Sequence, residues 1–140
     1  MMAAGRKPQL RAIEGGLSKV PPAPAGLNAT ARAEWKRTCE ELIDRSALVK
    51  SDLPTVEMYA TCRAMVTKIR PLADKAEPYI VNDKTGAVKK HPAHIALTNY
   101  LTLCLRYESE LGLTPAARNR KGFRDSGGNA NAGAPPGLDL

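Results

Sequence analysis

Three stretches of this chain repeat apolar residues at three- and four-residue steps, and each is bounded by residues that start or stop a helix. No other feature limits the possible folds as strongly. In the first stretch, residues 27–49, Ala31, Trp35, Cys39, Leu42 and Ile43 share a face, and Asn28 stands where an N-cap belongs. In the second, residues 50–76, Leu53, Val56, Ala60 and Ala64 form one stripe, and Met58, Cys62, Met65, Ile69 and Leu72 form another. Two stripes on one helix call for two neighbours. Ser51 or Asp52 is placed to cap this helix, and Pro54 falls in its first turn, where a missing N–H has no intrahelical partner. Pro71 is expected to kink the helix or end it near Arg70.

The third stretch, residues 92–113, has Pro92 in its first turn and Gly112 as its C-terminal stop. Its apolar residues, including Leu97, Leu101 and Leu105, spread over roughly 200° of a helical wheel, twice the usual core stripe of about 100°. A subunit interface would use that excess. The alternative is that the second and third helices sandwich each other and the intervening segment covers the rest.

That intervening segment, "EPYIVNDKTGAVKKHP", breaks the helical period. Tyr79, Ile80 and Val81 favour strands, Lys84-Thr85-Gly86 supplies a turn, and Ala87-Val88 returns, which together predict a short β-hairpin. Asn82 and Asp83 are read as turn residues. One Trp, one Phe and four Tyr in 140 residues leave the core to small and aliphatic side chains, which suits packed helices. They also leave too few rings for a stacking platform on single-stranded nucleic acid.

The ends read differently. Residues 1–26 hold four prolines, and Arg6, Lys7, Arg11 and Lys19 face a single acid, Glu14. They are expected to form a flexible basic arm, of the kind that lies along phosphates. After Gly112, Thr114 caps a new turn and Pro115 takes its first position, so that Arg118, Arg120 and Lys121 share a short basic helix, followed by Arg124. Residues 122–140 have the composition of a disordered tail. The expected fold is mainly α, with three main helices, a short hairpin and a short C-terminal basic helix. Residues 27–121 form the core and oligomerisation domain.

A net charge of +7 favours a polyanionic partner through long-range attraction and counterion release. Cys39, Cys62 and Cys104 lack CxxC spacing and each falls in a helical stretch, so they read as small buried hydrophobes in a reducing compartment. With His91 and His94 they do not make a spaced zinc set. The N-terminus has no apolar core of a signal peptide, and no stretch approaches the roughly 20 apolar residues that span a bilayer. The chain therefore reads as soluble and intracellular. No phosphate-binding loop, nucleophile elbow or HExxH is present, and no nucleophile–base pair stands out. Nothing calls for a cofactor or a metal, and no catalytic residue is assigned.

Several segments taken together resemble a known family. "AGRKPQLRAIEGG", the Pro-rich link after it, "TARAEWKRTCEELIDRSALVKSDLPTVEMYATC", "TGAVKKHPA" and "ESELGLTPAARNR" are similar to the small subunit of tailed-phage DNA-packaging terminases. Members of that family open with GRKP, here Gly5-Arg6-Lys7-Pro8, and end their folded part on LGLTPxxR, here Leu111 to Arg118. The match runs from about Gly5 to Arg120. It departs in the arm, which continues as "EGGLSKVPPAP" where the family often has a Gly-Asn-Pro-Gly-Lys-like run.

The resemblance implies a non-catalytic protein of the bacterial host cytoplasm that recognises double-stranded viral DNA as a ring-like homo-oligomer. It implies delivery of that DNA to the large subunit, which carries the ATPase and nuclease, and modulation of its activities. The DNA-binding residues expected are Arg6, Lys7, Arg11, Lys19, Arg118, Arg120, Lys121 and Arg124. Leu97, Leu101 and Leu105 are expected at the subunit interface. Arg118 and its neighbours could instead pair with Glu108 and Glu110 of another subunit, or simply end a solvated helix. The rival reading is a small helix-turn-helix transcription regulator built on the first two helices. A scaffold without nucleic-acid contact is a third.

Overall fold

The structure, a computed structural model, describes residues 15–119. Its elements are α1 (Ala29–Asp44), a 3-10 turn (Lys50–Asp52), α2 (Leu53–Lys75), strands β1 (Tyr79–Val81) and β2 (Val88–Lys90), α3 (Pro92–Glu110) and α4 (Pro115–Arg118). The chain is mainly helical, as its apolar period required. α2 is the central element: α1 packs along one of its sides and α3 along another, which accounts for its two apolar stripes.

α1 begins at Asn28, whose side chain accepts a hydrogen bond from the Ala31 N–H at 2.8 Å. Its buried face is Ala31, Trp35, Thr38, Cys39 and Leu42. The helix ends with Ser46 in the left-handed region, φ +54°. There the Ala47 N–H reaches the Leu42 carbonyl and the Ser46 N–H reaches that of Ile43, the paired bonds of a Schellman stop. α3 ends in the same way on Gly112, φ +69°, with Leu113 bonded to Glu108 and Gly112 to Ser109.

Two expectations for α2 are corrected. Neither Ser51 nor Asp52 caps it; the Asp52 carboxylate instead accepts from the Val49 N–H at 3.2 Å. The 3-10 turn runs directly into the helix and holds Asp52 in a helical conformation, away from the extended geometry of a capping residue. Nor does the helix end at Arg70: it continues through Pro71 to Lys75. Pro71 cannot bond the Thr67 carbonyl, but both residues are exposed, so water can satisfy that oxygen. Ile69 and Ala73 on the buried side keep the last turns attached.

Residues 15–26, assigned from the sequence to the flexible arm, lie against the helices. Gly16 pairs with Val49, the Leu17 N–H bonds the Leu48 carbonyl at 2.9 Å, and Leu17, Val20 and Ala23 pack on the core. The Trp35 indole N–H donates to the Pro21 carbonyl at 3.0 Å while the ring is only 3% exposed. Three apolar side chains and one buried donor that needs an acceptor outweigh the local looseness of Pro and Gly.

The hairpin pairs Tyr79 with Lys90, Ile80 with Lys89 and Val81 with Val88. Its turn is set by Asn82, whose side-chain oxygen accepts from the Lys84 and Thr85 N–H groups, and by Gly86 at φ +70°. Every residue from Glu77 to Lys90 is exposed.

Candidate nucleic-acid interface

The basic side chains of α1 are largely occupied. Arg37 reaches Glu34 at 2.6 Å, Lys36 lies 3.8 Å from Glu40, and Arg45 pairs with Glu41. Arg45 also donates to the Gly112 carbonyl at 3.0 Å. That bond ties the end of α1 to the junction of α3 and α4, so this arginine holds the fold together. Between α1 and α2, Glu34 also faces Arg63, 3.8 Å away. Between α2 and α3, the buried Tyr59 hydroxyl donates to Glu108 at 2.7 Å. Burial, and then that carboxylate, hold the phenol proton well above its usual range. Glu108 is thus engaged within its own chain through one of its two carboxylate oxygens.

α4 starts as the sequence predicted but ends at Arg118, so of the basic residues expected to share it only Arg118 lies within the helix. The Thr114 hydroxyl accepts from the Ala117 N–H at 3.1 Å, Pro115 opens the helix, and Ala117 is fully buried. Arg118 lies in its last turn, half-buried. Lys19 is exposed on the packed N-terminal segment. Arg6, Lys7, Arg11, Arg120, Lys121 and Arg124 lie outside the described residues.

The fold brings the two described approaches to those basic ends to one corner. Residues 16 and 17 are held by Leu48 and Val49, and Gly112, just before α4, is held by Arg45. Residues 16–17 and Gly112 therefore meet at the α1–α2 corner, although about a hundred residues of sequence separate them. Nothing local in the sequence could signal this, because it depends on α3 running back along α2.

A second basic region, not among the expected DNA-binding residues, accompanies the hairpin. Residues 68–90 hold six basic side chains, Lys68, Arg70, Lys75, Lys84, Lys89 and Lys90, against three acidic ones. All six are exposed, and none forms an ion pair among the described residues. The excess is countable in the sequence, but only the fold gathers it at the hairpin end of the molecule.

Of the expected interface leucines, Leu97 is half-buried against the core, while Leu101 is 42% and Leu105 60% exposed. Leu97, Tyr100, Leu103 and Tyr107 use the α2-facing part of the wide arc, and Leu101 and Leu105 are the part that α2 leaves uncovered.

His91 and His94 have structural work at the start of α3. The His91 ring nitrogen accepts from the Ala93 N–H at 3.0 Å, and His94 Nε2 is hydrogen-bonded to the Ala76 carbonyl at 2.9 Å. The three cysteines are buried and free. Burial pushes the Cys39 and Cys104 thiols up to about 11 and raises that of Cys62. Among the described residues no helix is long and apolar enough to cross a membrane.

No curated protein and no solved structure matches the chain. A family model described as "Phage terminase, small subunit" matches residues 31–126, well over half of the sequence, from the first turn of α1 to beyond α4. The chain belongs to the phage terminase small subunit family.

Proposed function

We propose that this protein is a non-catalytic, oligomeric adaptor that binds double-stranded viral DNA and delivers it to the large terminase subunit, whose ATPase and nuclease activities it modulates during genome packaging. The family match over residues 31–126 carries the reading. The shared corner supports it. In the sequence Arg6, Lys7 and Arg11 precede one packed segment and Arg120, Lys121 and Arg124 follow the other, and the two segments are anchored near the same corner. With Lys19 and Arg118, these are the side chains we assign to the phosphate backbone. The exposed Leu101 and Leu105 support self-association; a ring in the host cytoplasm is the form that we infer from the family match.

The rival helix-turn-helix reading loses support at α2. The first turns of a recognition helix face base edges, and they need side chains that read them. α2 offers Pro54, Glu57, Met58 and Thr61 there, an apolar and acidic surface.

Binding to duplex DNA, titrated against salt together with the mass in solution, tests the proposal. Because residues 15–26 are packed, the arm should be cut after Glu14 and not after Gly26. Removing residues 1–14, or neutralising Arg118, Arg120, Lys121 and Arg124, should weaken binding. Each lost phosphate contact should flatten the slope of log K against log salt by about 0.9. Unchanged affinity of both variants at low salt would overturn the DNA assignment. Substituting Leu101 or Leu105 with Glu should lower the mass of the assembly. Native mass in both variants would remove them from the interface.

A further inference from the structure

The hairpin is the least explained part of the molecule. A two-stranded hairpin is marginal by itself in water. This one leaves Tyr79, Val81 and Val88 each more than half exposed, and Ile80 exposed on its other face. Its anchors lie only at its base, where the His91 N–H bonds the Pro78 carbonyl and His94 holds Ala76. The strands also carry Lys89 and Lys90, with Lys84 in the turn.

A surface of matching character lies at the opposite end of the α2–α3 pair. There Pro54, Glu57, Met58, Thr61, Cys62 and Tyr107 line an open groove. Met58 is 53% exposed although it belongs to the stripe of α2 that faces α3, and the Tyr107 hydroxyl rests on its sulfur at 3.5 Å. The one charged lining residue is acidic, Glu57. Eighteen residues of helix separate Met58 from Ala76 at the hairpin base, about 27 Å at the helical rise, so a chain's own hairpin cannot fold back into its own groove.

We propose that the β1–β2 hairpin of one copy seats in the α2–α3 groove of the next, with Val81 and Val88 against Met58 and Tyr107 and with Lys90, on the same face, beside Glu57. This rests on the oligomer reading above and specifies its geometry. Hairpin and groove are different patches at opposite ends of one subunit, so the contact is head to tail. A contact of this kind closes into a ring when its rotation permits. It uses apolar side chains of both elements that the single chain leaves bare, and it sets lysine against glutamate at the rim.

The test is charge reversal and its rescue in the full-length chain, read as mass by light scattering after size exclusion, with helicity by circular dichroism as the folding control. The hairpin variants Lys89→Glu/Lys90→Glu and Val88→Asp alter only exposed positions, so helicity should stay at the wild-type level while the mass falls toward that of a single chain. Glu57→Lys should lower the mass in the same way. Combining Glu57→Lys with Lys89→Glu/Lys90→Glu in one chain restores opposite charges at every contact and should return the mass to the wild-type value. An oligomeric wild type whose hairpin and groove variants all keep its mass would overturn this seat while leaving the oligomer reading intact. So would hairpin variants that disassemble while Glu57→Lys does not, or that lose DNA affinity without losing mass. A monomeric wild type would overturn both.

Discussion

α2 and α3 are antiparallel neighbours of similar length, yet they are buried very differently. α2 has eight buried residues, Val56, Tyr59, Ala60, Cys62, Ala64, Val66, Ile69 and Ala73, whereas α3 has one, Cys104. Composition does not explain the difference, because α3 is at least as apolar as α2. Position does: α2 has the long α1 on one side and α3 on another, while α3 has α2 along its length and otherwise only the short α4 among the described helices. The amino-acid pattern of a helix thus states how much surface could be covered, and the number of neighbours decides how much is. On α3 the shortfall falls at Ile95, Leu101 and Leu105, all exposed, which is why the assembly reading concentrates there.

Truncations in the two regions should separate most sharply. Trp35→Ala removes a side chain 3% exposed, together with the donor that holds Pro21, and should lower stability by about 3–5 kcal/mol. It should also release residues 15–26 to proteolysis. Leu105→Ala, at a side chain 60% exposed, should change the stability of the single chain by no more than about 0.5 kcal/mol. Denaturant unfolding below the concentration of assembly measures both. Equal losses would mean that α3 is covered in the single chain after all.

High pH offers a second comparison. The Cys39 and Cys104 thiols have folded values raised to about 11 by burial, against about 8.5 in an unfolded chain. A raised value means that the folded state keeps its proton longer. Stability from these groups is complete below about pH 8.5 and is lost progressively up to about pH 11. Tyr59, also raised, extends the loss to higher pH. Unfolding followed across this range should show the decline, and Cys39→Ala with Cys104→Ala should flatten its first part.

The smallest effect compares the two Schellman stops. α3 uses Gly112 at its left-handed position and α1 uses Ser46. A residue with a Cβ is strained there, by roughly 1–2 kcal/mol before the greater freedom of unfolded glycine is subtracted. Ser46→Gly should therefore raise stability by about 0.5–1 kcal/mol, and Gly112→Ala should lower it, both read from denaturant midpoints. A neutral Ser46→Gly would mean that the serine conformation carries no strain.

Much of the architecture was legible because it depends on short-range chemistry. The Asn28 and Thr114 caps, the Gly112 stop and the hairpin around Gly86 each follow from a few adjacent residues, and the two stripes of α2 follow from its period. The misread points share a cause: a distant contact overrode a local tendency. Of the two outcomes expected at Pro71, a kink or an end near Arg70, the end is overturned: the anchoring of Ile69 and Ala73 carries α2 on to Lys75. Residues 15–26 look loose, but the Trp35 indole and the Leu48 carbonyl lie where they can bind them.

The sequence by itself determined the three main helices, the starts of α1 and α4, the stop of α3, the hairpin and the basic character of both termini, since propensity, period and charge are properties of residues near one another in the chain. Only the tertiary structure decided that residues 16–17 and Gly112 meet at the α1–α2 corner, that the lysines of residues 68–90 gather at the far end, and that Leu101 and Leu105 stay bare. Each of these depends on which elements come together across the fold, and that is fixed by the packing of all the helices at once.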